Sequence, residues 1–330
     1  MLKCFARAIT GLFTKRLCKE DDIMLKTGIQ NGILYDDGNF EWGLEVVKNA
    51  GFDCIDFNID TKIDYGAIRD GGEDLFFTQS DEALKAYYQP QKDAMRAAGI
   101  TMSQMHGPFP VYVPDNEKAT DILLKATEKC LMLCEFFNCP YLVVHPYTVP
   151  LESEENERAI NLFIYKSLVP AAKKYGVGIC LENMFKSHNG RIFGGACADA
   201  ASACEYIDEL NAFAGEKIFS FCFDLGHATL CARNIRREIN LLGERLTVLH
   251  IHDNDGIRDN HVQPYSQKRG AHAAYVTDWE GFLAGLRDIG FGGVLSFETF
   301  AALYDLPKEL YPVMVNYVGG VAKYFAKRLS

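Results

Sequence analysis

The sequence predicts an α/β fold of the (β/α)8 TIM barrel type, and three observations support this prediction. Its 330 residues suffice for one large barrel, which usually needs about 250 residues or more. From Leu25 onward, short apolar runs alternate with longer segments of helical periodicity. The short runs are continuously apolar, which is typical of parallel strands covered by helices. Eight such repeats in about 300 residues predict a closed barrel rather than an open sheet.

The predicted elements follow one another in a regular order. The eight strands are predicted at 25–30, 53–58, 101–106, 141–145, 178–182, 219–224, 247–252 and 294–298. Helical patterns between them include 81–98, 116–137, 153–175, 197–210, 278–289 and 307–328. Gly51, Gly99, Gly176 and Gly290 shortly precede strands, as expected where a helix ends in a left-handed cap. The first turn lacks the G-x-G-x-x-G motif that would favour a doubly wound open sheet.

Residues 1–23 precede the first predicted strand and form an N-terminal extension, predicted to be appended or disordered. Apolar residues recur there at helical spacing between basic ones, so a short amphipathic helix that touches a membrane or a partner is an alternative. We favour an appended segment, because Met24 stands directly before the first strand and could be the true start. No low-complexity linker divides the rest, so 24–330 is predicted to be one domain.

Composition excludes several classes of protein. Hydrophobic residues make up 48 % and charged residues 24 %, which are globular proportions. A net charge of −10 argues against a nucleic-acid partner, and no apolar run approaches the roughly 20 residues of a membrane span. The 11 cysteines form no C-x-x-C pair and favour a reducing, cytoplasmic compartment. Cys130, Cys134 and Cys139 are interpreted as buried thiols rather than a soft-metal site.

The ends of the predicted strands carry an unusual set of polar residues. They include His106, His145, Glu182, Asp224, His227, His250, His252 and Glu298. Five of the chain's eight histidines lie in these motifs, and His261 follows in the next loop. The carboxyl ends of barrel strands form the active-site face, and these side chains are ligands for Zn²⁺ or Mn²⁺. Buried carboxylates also need a compensating cation, so the sequence predicts one central divalent metal site.

Six motifs give the chain a family resemblance over about residues 25–328. They are HGPFP at 106–110, VVHP at 143–146, LEN at 181–183, FDLGHA at 223–228, HIHDNDG at 250–256 and FET at 297–299. In order and spacing they resemble the xylose isomerase-like TIM-barrel superfamily. This superfamily includes sugar-phosphate isomerases and epimerases, ketose 3-epimerases, inosose dehydratases and the endonuclease IV type of abasic-site nuclease, which is AP endonuclease family 2.

The resemblance to ketose 3-epimerases implies one divalent ion, which could be Mn, Zn, Co or Mg. By motif its ligands are Glu182, Asp224, His252 and Glu298. Glu182 and Glu298 would also exchange the carbon-bound proton as catalytic residues, through a metal-stabilised enediolate. The implied substrate-binding residues are His227, Arg258, His106, His145 and His188. His188 stands where the 3-epimerases carry a glutamate, which departs from their pattern.

The resemblance to the nuclease branch implies a second or third metal ion. Its additional ligands would be His106, His145, His227, Asp259 and His261. The acidic chain and a short loop between His252 and Asp259 favour instead a metal-dependent isomerase or epimerase acting on a sugar, sugar phosphate or cyclitol. An inosose-type dehydratase on the same site and a non-catalytic sugar-binding barrel are further alternatives. A small carbohydrate is the expected partner, and the long C-terminal helix could support a homo-oligomer.

Overall fold

The computed structural model describes residues 24–34, 38–69, 71–72, 75–270, 274–304 and 306–330. The predicted N-terminal extension, 1–23, lies outside these residues. The strands are β1 (Thr27–Gln30), β2 (Cys54–Asn58), β3 (Thr101–His106), β4 (Tyr141–Val144), β5 (Gly178–Glu182), β6 (Phe185–His188), β7 (Arg191–Gly194), β8 (Phe219–Asp224), β9 (Leu246–His250) and β10 (Leu295–Phe297). Each of the eight predicted strands is present, with ends that differ from the prediction by at most two residues.

Eight parallel strands form the barrel in the order β10-β1-β2-β3-β4-β5-β8-β9. Ile251, directly after β9, closes the ring by a parallel bridge to Phe297 of β10. The Ile251 amide donates to the Ser296 carbonyl at 2.9 Å, and the Glu298 amide donates to the Ile251 carbonyl at 3.0 Å. The TIM barrel predicted from the sequence is therefore confirmed, and every barrel strand points its carboxyl end to the same face.

Helices cover the outside of the barrel. They are α1 (Phe40–Ala50), α2 (Tyr65–Arg69), α3 (Asp81–Ala98), α4 (Glu117–Phe137), α5 (Glu154–Tyr175), α6 (Ala200–Ala214), α7 (Leu225–Leu230), α8 (Ile235–Leu242), α9 (Trp279–Asp288) and α10 (Tyr311–Leu329). The largest boundary errors concern the predicted helices 197–210 and 307–328. Helix α6 begins later because the Asp199 side chain accepts from the Ser202 amide as its N-cap. Helix α10 begins at Tyr311, after a 3-10 turn at 308–310.

One element of the active-site face was not predicted. Strands β6 and β7 form an antiparallel hairpin directly after β5. Its two-residue turn is Asn189–Gly190, with φ angles of 50° and 73°. Asn-Gly is the strongest short signal for such a turn, because both residues tolerate positive φ. The sequence therefore contained the signal for a hairpin turn. The prediction missed it because the segment lies between a barrel strand and a helix, where a loop is expected.

The inner face of the barrel has a small apolar layer beneath the strand ends. Val143, Cys180, Cys222 and Val248 form a buried cluster that is distinct from the larger core between strands and helices. Alternate residues of a strand face the same side. These four therefore lie directly below residues two positions further on, which are His145, Glu182, Asp224 and His250. The polar residues at the strand ends therefore lie directly above a buried apolar layer.

Two further expectations concern cysteines and glycines. Cys130, Cys134 and Cys139 are buried, as predicted. Gly51, Gly99, Gly176 and Gly290 have positive φ, which agrees with the expected left-handed helix ends. Within the described ranges, no helix is both long and apolar enough to cross a bilayer.

Candidate functional site

Three buried carboxylates meet at the carboxyl face of the barrel. Glu182 ends β5, Asp224 ends β8, and Glu298 directly follows β10. All three surround Nδ1 of His250, at the end of β9. The nitrogen lies 3.2 Å from Glu182 Oε2, 3.2 Å from Glu298 Oε2 and 3.9 Å from Asp224 Oδ2. Parallel strands that end at one level thus bring together acids that are far apart in the chain.

His252, the residue after Ile251, also lies at this centre. Its Nε2 atom lies 3.1 Å from both carboxylate oxygens of Asp224. His250 and His252 both lie in the barrel mouth and are fully buried, as the alternation of side chains predicts. The predicted metal ligands Glu182, Asp224, His252 and Glu298 therefore lie in one contiguous cluster.

A first group of possible ligands flanks this cluster on the side of β3 and β4. His106 Nε2 lies 3.0 Å from His145 Nε2, which in turn lies 3.0 Å from Glu182 Oε2. These three side chains offer ligand atoms within 4.8 Å of one another. Their arrangement could hold a second cation that shares Glu182 with the centre.

A second group flanks the cluster on the opposite side. Asp259 Oδ2 lies 3.3 Å from His227 Nε2 and 2.8 Å from His261 Nε2. The rings of His252 and His261 stack with centroids 4.0 Å apart, which connects this group to the centre. Asp259 and His261 belong to the loop that follows β9. The Asp253 side chain holds this loop in place by accepting from the Ser266 and Gln267 amides.

Two predicted residues lie apart from the carboxylates. Arg258 is exposed, and its amide, not its side chain, is bound to Asp255 Oδ1 at 2.7 Å. His188 is half-buried at the tip end of the hairpin. Among the described residues, neither side chain has a hydrogen bond or ion pair with the cluster. The hairpin reaches the site instead through Phe185, whose ring centroid lies 5.0 Å from that of His227.

Sequence reasoning missed the residues that hold the carboxylates in position. Gln30, at the end of β1, donates to Glu298 Oε1 at 2.5 Å. Asn183 brackets Asp224: its side chain accepts from the Asp224 amide and donates to the Asp224 carbonyl, both at 2.8 Å. Asp56 of β2 lies 3.3 Å from His250 Nε2 through Oδ2. The sequence signal that could have identified these residues is a polar side chain inside or at the end of an apolar strand.

The site pushes the pKa values of its two glutamates apart. Burial raises the pKa of Glu182, but the neighbouring His145 and His250 outweigh burial and hold it well below the usual value. Burial raises the pKa of Glu298 to about 7, and Asp224 and Glu182 add to this rise. Two carboxyls in one site can therefore differ in protonation near neutral pH, as general acid–base pairs require.

The pKa values of two histidines of the site are also shifted in opposite directions. Burial lowers the pKa of His106 to about 4, and the neighbouring His145 and His250 contribute to this effect. His227 is also buried, but the carboxylates of Asp224 and Asp259 raise its pKa well above the usual value. His106 is therefore a neutral imidazole of the kind that ligates metals, whereas His227 is a hydrogen-bond donor to the Asn183 carbonyl and Asp259.

The donor set fits a divalent cation. Glu182 Oε2, Asp259 Oδ1 and both ring nitrogens of His250 are buried without an aligned hydrogen bond. Ionisable partners lie 3.0–3.3 Å from Glu182 Oε2 and from the two His250 nitrogens, so the atoms are close together but not aimed at one another. Unsatisfied buried carboxylate oxygens are costly, and a cation among them removes that cost. Nitrogen and oxygen donors suit Zn²⁺, Mn²⁺ and Co²⁺.

Comparisons with known proteins agree with this architecture. Residues 44–312 match the family described as xylose isomerase-like TIM barrel. A D-tagatose 3-epimerase-like protein superposes with a TM-score of 0.68 at 17 % identity, covering 92 % of this chain and 98 % of that one. The 3-keto-D-glucoside 4-epimerase YcjR from E. coli has a TM-score of 0.64 at 18 % identity, with coverage of 89 % and 98 %.

A third similar structure contains a metal. The IolI protein, solved with a bound zinc atom, has a TM-score of 0.63 at 19 % identity, and the match covers 93 % of this chain and 98 % of that one. At these identities the structures establish the fold alone, whereas the family match spans most of the chain. This protein belongs to the xylose isomerase-like TIM barrel family.

Proposed function

We propose that the protein is a divalent-metal-dependent isomerase or epimerase acting on a sugar, sugar phosphate or cyclitol. One observation carries the proposal: Glu182 and Glu298 approach the same point of the barrel mouth from two strands, each 3.2 Å from His250 Nδ1. Two carboxyls on either side of one site are what proton removal and return at a carbon centre require. The epimerases of similar fold, at low identity, are consistent with this reaction class.

The metal would be held by Glu182, Asp224, His252 and Glu298. When bound, a divalent ion supplies Lewis-acid chemistry, polarising a carbonyl so that the neighbouring carbon–hydrogen bond becomes more acidic. The zinc in the structure of similar fold is consistent with such a cofactor. The chain's own contribution is to keep these oxygens and nitrogens directed at the mouth, through Gln30 on Glu298 and Asn183 on the Asp224 backbone.

The positions of the two glutamates on either side of the site assign their roles. Glu182, whose pKa is held low by His145 and His250, is the carboxylate that accepts the carbon-bound proton. Glu298, on the other side of the site, is the carboxyl that returns a proton, which it would take up from solvent when the metal is bound. In the reverse direction the roles exchange. His227 would line the substrate site, with its ring fixed between the Asn183 carbonyl and Asp259.

Deuterium incorporation tests this proposal. The purified protein, loaded with Mn²⁺ or Co²⁺, is incubated in D₂O with a panel of ketoses and cyclic polyols, and deuterium next to the carbonyl is followed by NMR. Glu182→Gln and Glu298→Gln should each slow incorporation by about 10²- to 10⁴-fold. Glu205→Gln, an exposed residue of α6, serves as the matched control and should change nothing. Metal content is measured in every variant, because the two glutamates are also proposed ligands.

Wild-type rates of incorporation in both site variants, with metal bound, would contradict the proposed roles. Product analysis in the same samples separates the related alternatives. Release of water from a cyclic polyol would identify the dehydratase. Stabilisation by a polyol without turnover would identify a sugar-binding barrel.

A second candidate function rests on the two flanking groups. His106, His145 and Glu182 on one side, and His227, Asp259 and His261 on the other, could complete a cluster of three metals. Several metal ions in one site favour hydrolysis of phosphate esters, as in an abasic-site nuclease. The net charge of −10 argues against a polyanionic substrate. Elemental analysis distinguishes the two functions: three tightly bound zinc ions and cleavage of abasic DNA would favour the nuclease.

A further inference from the structure

A buried ion pair lies outside the carboxylate cluster and has no part in the proposed chemistry. Lys186 of β6 is 7 % exposed, and Glu157, in the first turn of α5, is 4 % exposed. The Lys186 ammonium lies 2.6 Å from Glu157 Oε2. Removing two charges from water costs about as much as their attraction gains, so such a pair adds little to overall stability. Its presence points instead to a role in fixing one arrangement of the two elements that carry it.

The hairpin that carries Lys186 needs an anchor. Strands β6 and β7 form a two-stranded sheet of their own, separate from the barrel. A two-stranded hairpin by itself is at best marginally stable in water. Of the eight residues in its two strands, Lys186 alone is buried. The hairpin is therefore attached to the body of the protein largely through this lysine.

Both legs of the hairpin are connected to the partner of Lys186. Glu157 Oε2 also accepts from the Thr148 hydroxyl at 3.2 Å. Thr148 Oγ1 in turn accepts from the amide of Ala196, just after β7, at 3.2 Å. The Ala196 carbonyl accepts from the amide of Met184, just before β6, at 3.0 Å. Glu157 is thus linked to the segments on either side of the hairpin as well as to its middle.

The base of the hairpin passes very close to Thr148. A Cβ atom on Gly195 would lie 2.6 Å from Thr148 Oγ1 and 3.1 Å from the Met184 carbonyl oxygen. Both distances are shorter than an ordinary contact of about 3.5 Å, so a larger residue would push the hairpin away. Thr148 is itself held beside α5, because the Asn161 side chain accepts from the Tyr147 amide at 2.7 Å and donates to its carbonyl at 2.9 Å.

The ion pair also fixes which face of β6 is directed at the barrel mouth. Neighbouring side chains of a strand point to opposite sides. Because Lys186 is held at α5, Phe185 faces the mouth, where its ring centroid lies 5.0 Å from that of His227. His188 shares the face of Lys186, which accounts for its separation from the carboxylates. A shift of one residue along the strand would exchange the two faces.

From this juxtaposition we infer that Glu157 and Lys186 are positioning residues for the substrate side of the mouth. Their ion pair seats the hairpin and thereby holds Phe185 against His227. They act through these two rings and touch neither substrate nor metal. The effect on substrate binding rests on the proposed function, whereas the seating of the hairpin can be tested without it.

Hydrogen exchange of the full chain measures the seating. Lys186→Met keeps an unbranched side chain of similar length but removes the charge. The backbone amides of 185–194 should then exchange at least about tenfold faster than in the wild type, because Glu157 is left buried without its cation. Gly195→Ala should have the same effect without altering a charge, since its Cβ atom would displace the hairpin from Thr148.

Two control variants are matched to these substitutions. Lys166→Met also removes a lysine, and it breaks a half-exposed contact of 3.0 Å between Lys166 of α5 and Glu209. Gly292→Ala adds a Cβ atom that would have no atom within 4 Å. Both controls should exchange like the wild type at 185–194. Thermal unfolding shows which variants are folded. If Lys186→Met is not, the double variant Lys186→Met/Glu157→Gln takes its place, because it leaves no unpaired charge.

The contact between Phe185 and His227 has a spectroscopic signature. The chain has eight histidines, so ¹³C-labelling at Cε1 gives a simple spectrum, recorded with Zn²⁺ as a diamagnetic ion. His227→Gln identifies the signal of His227 by its loss. Phe185→Leu removes the ring current and should shift that signal. Lys186→Met should shift it in the same direction, whereas Lys166→Met should leave it in place. A residue that only stabilises the fold would not move this one signal.

Kinetics connect the seating to the proposed reaction. On any sugar or polyol that exchanges deuterium, Lys186→Met should raise KM at least about fivefold and keep kcat and metal content within about twofold. Lys166→Met should change neither constant. A rise in KM with kcat kept is the result expected when a wall of the binding site is displaced and the reacting groups stay in place.

Two results would overturn the inference while leaving the proposed function intact. One is wild-type exchange at 185–194 together with an unmoved His227 signal in the folded variants of Lys186 and Gly195. The other is faster exchange with an unchanged KM, which would reduce the ion pair to a structural contact. If the whole panel shows no deuterium exchange, the proposed function fails by itself, and the amide exchange and the His227 signal still decide whether the pair seats the hairpin.

Discussion

Replacing Gly226 with alanine should displace His252 from Asp224 and weaken metal binding. Gly226 lies between Asp224 and His227, in the first turn of α7. A Cβ atom at this position would stand 1.9 Å from His252 Cε1, 2.5 Å from Nε2 and 2.6 Å from Nδ1. Favourable carbon–carbon contacts need about 3.5 Å or more, so the imidazole would have to retreat by about 1.5 Å.

The His252 ring has no space into which it could move away from this Cβ atom. His252 is fully buried, and its other face stacks on His261 with centroids 4.0 Å apart. We therefore expect Nε2 to lose its 3.1 Å approach to Asp224. Misplacing such a group should reduce metal affinity by about 10- to 100-fold. Overpacking should also lower the free energy of unfolding of the metal-free protein by about 1–3 kcal/mol.

Competition with a chromophoric chelator measures the first effect, and urea unfolding of the metal-free protein measures the second. Gly320→Ala is the matched control, because no atom lies within 4 Å of a Cβ at that exposed position of α10. Alanine there should leave metal affinity unchanged and stabilise the helix slightly. Wild-type metal affinity in Gly226→Ala would refute the reasoning, since it would mean that His252 is not a ligand.

Three further predictions concern the surroundings of the carboxylates. Burial raises the pKa of Glu298 to about 7, so metal-free folded protein retains a proton that the unfolded chain releases near the ordinary value. This carboxyl therefore lowers stability as pH rises through that window, and its proton must leave when metal binds. Apparent metal affinity should rise up to about tenfold per pH unit below 7 and then level off, and calorimetry at pH 5.5–8 showing no slope would exclude this linkage. Gln30→Leu removes the donor to Glu298 Oε1 and should weaken metal binding about 10- to 100-fold by chelator competition, whereas an unchanged affinity would show that Gln30 does not orient the ligand. Asn183→Ala leaves the buried amide and carbonyl of Asp224 without partners and should cost about 2–4 kcal/mol in urea unfolding, an account that a loss below about 1 kcal/mol would rule out.

The barrel could be predicted because its signal is local and repeated. Each strand is a continuous apolar run, and the polar residue that ends it marks the carboxyl face. Glu182 after GICL and Asp224 after FSFCF illustrate this rule, and both lie at the barrel mouth. Parallel strands all end at one face, so a list of strand ends is already a list of neighbours in space.

The hairpin and the supporting residues could not be assigned in the same way. Asn189–Gly190 indicates a tight turn, but the run of residues before it also suits a loop that leads into α6. Gln30 and Asp56 are ordinary polar residues of short strands until the barrel closes and brings β1 beside β10. Their partners, Glu298 and His250, are roughly 200 or more residues away in the sequence. Gln30 meets Glu298 because β1 pairs with β10, whereas Asp56 of β2 meets His250 of β9 between strands that are not neighbours in the sheet.

The sequence alone determined the barrel class, the face on which the candidate site lies and the types of polar side chain collected there, because periodicity and strand-end chemistry are properties of short segments. The tertiary structure decided which of these residues meet. It brings Glu182, Asp224 and Glu298 around His250 and packs His252 against Gly226, while Arg258 is left exposed at the rim. It also decided the difference in pKa between Glu182 and Glu298, since burial and the distance to particular histidines arise only when the ring of strands is closed.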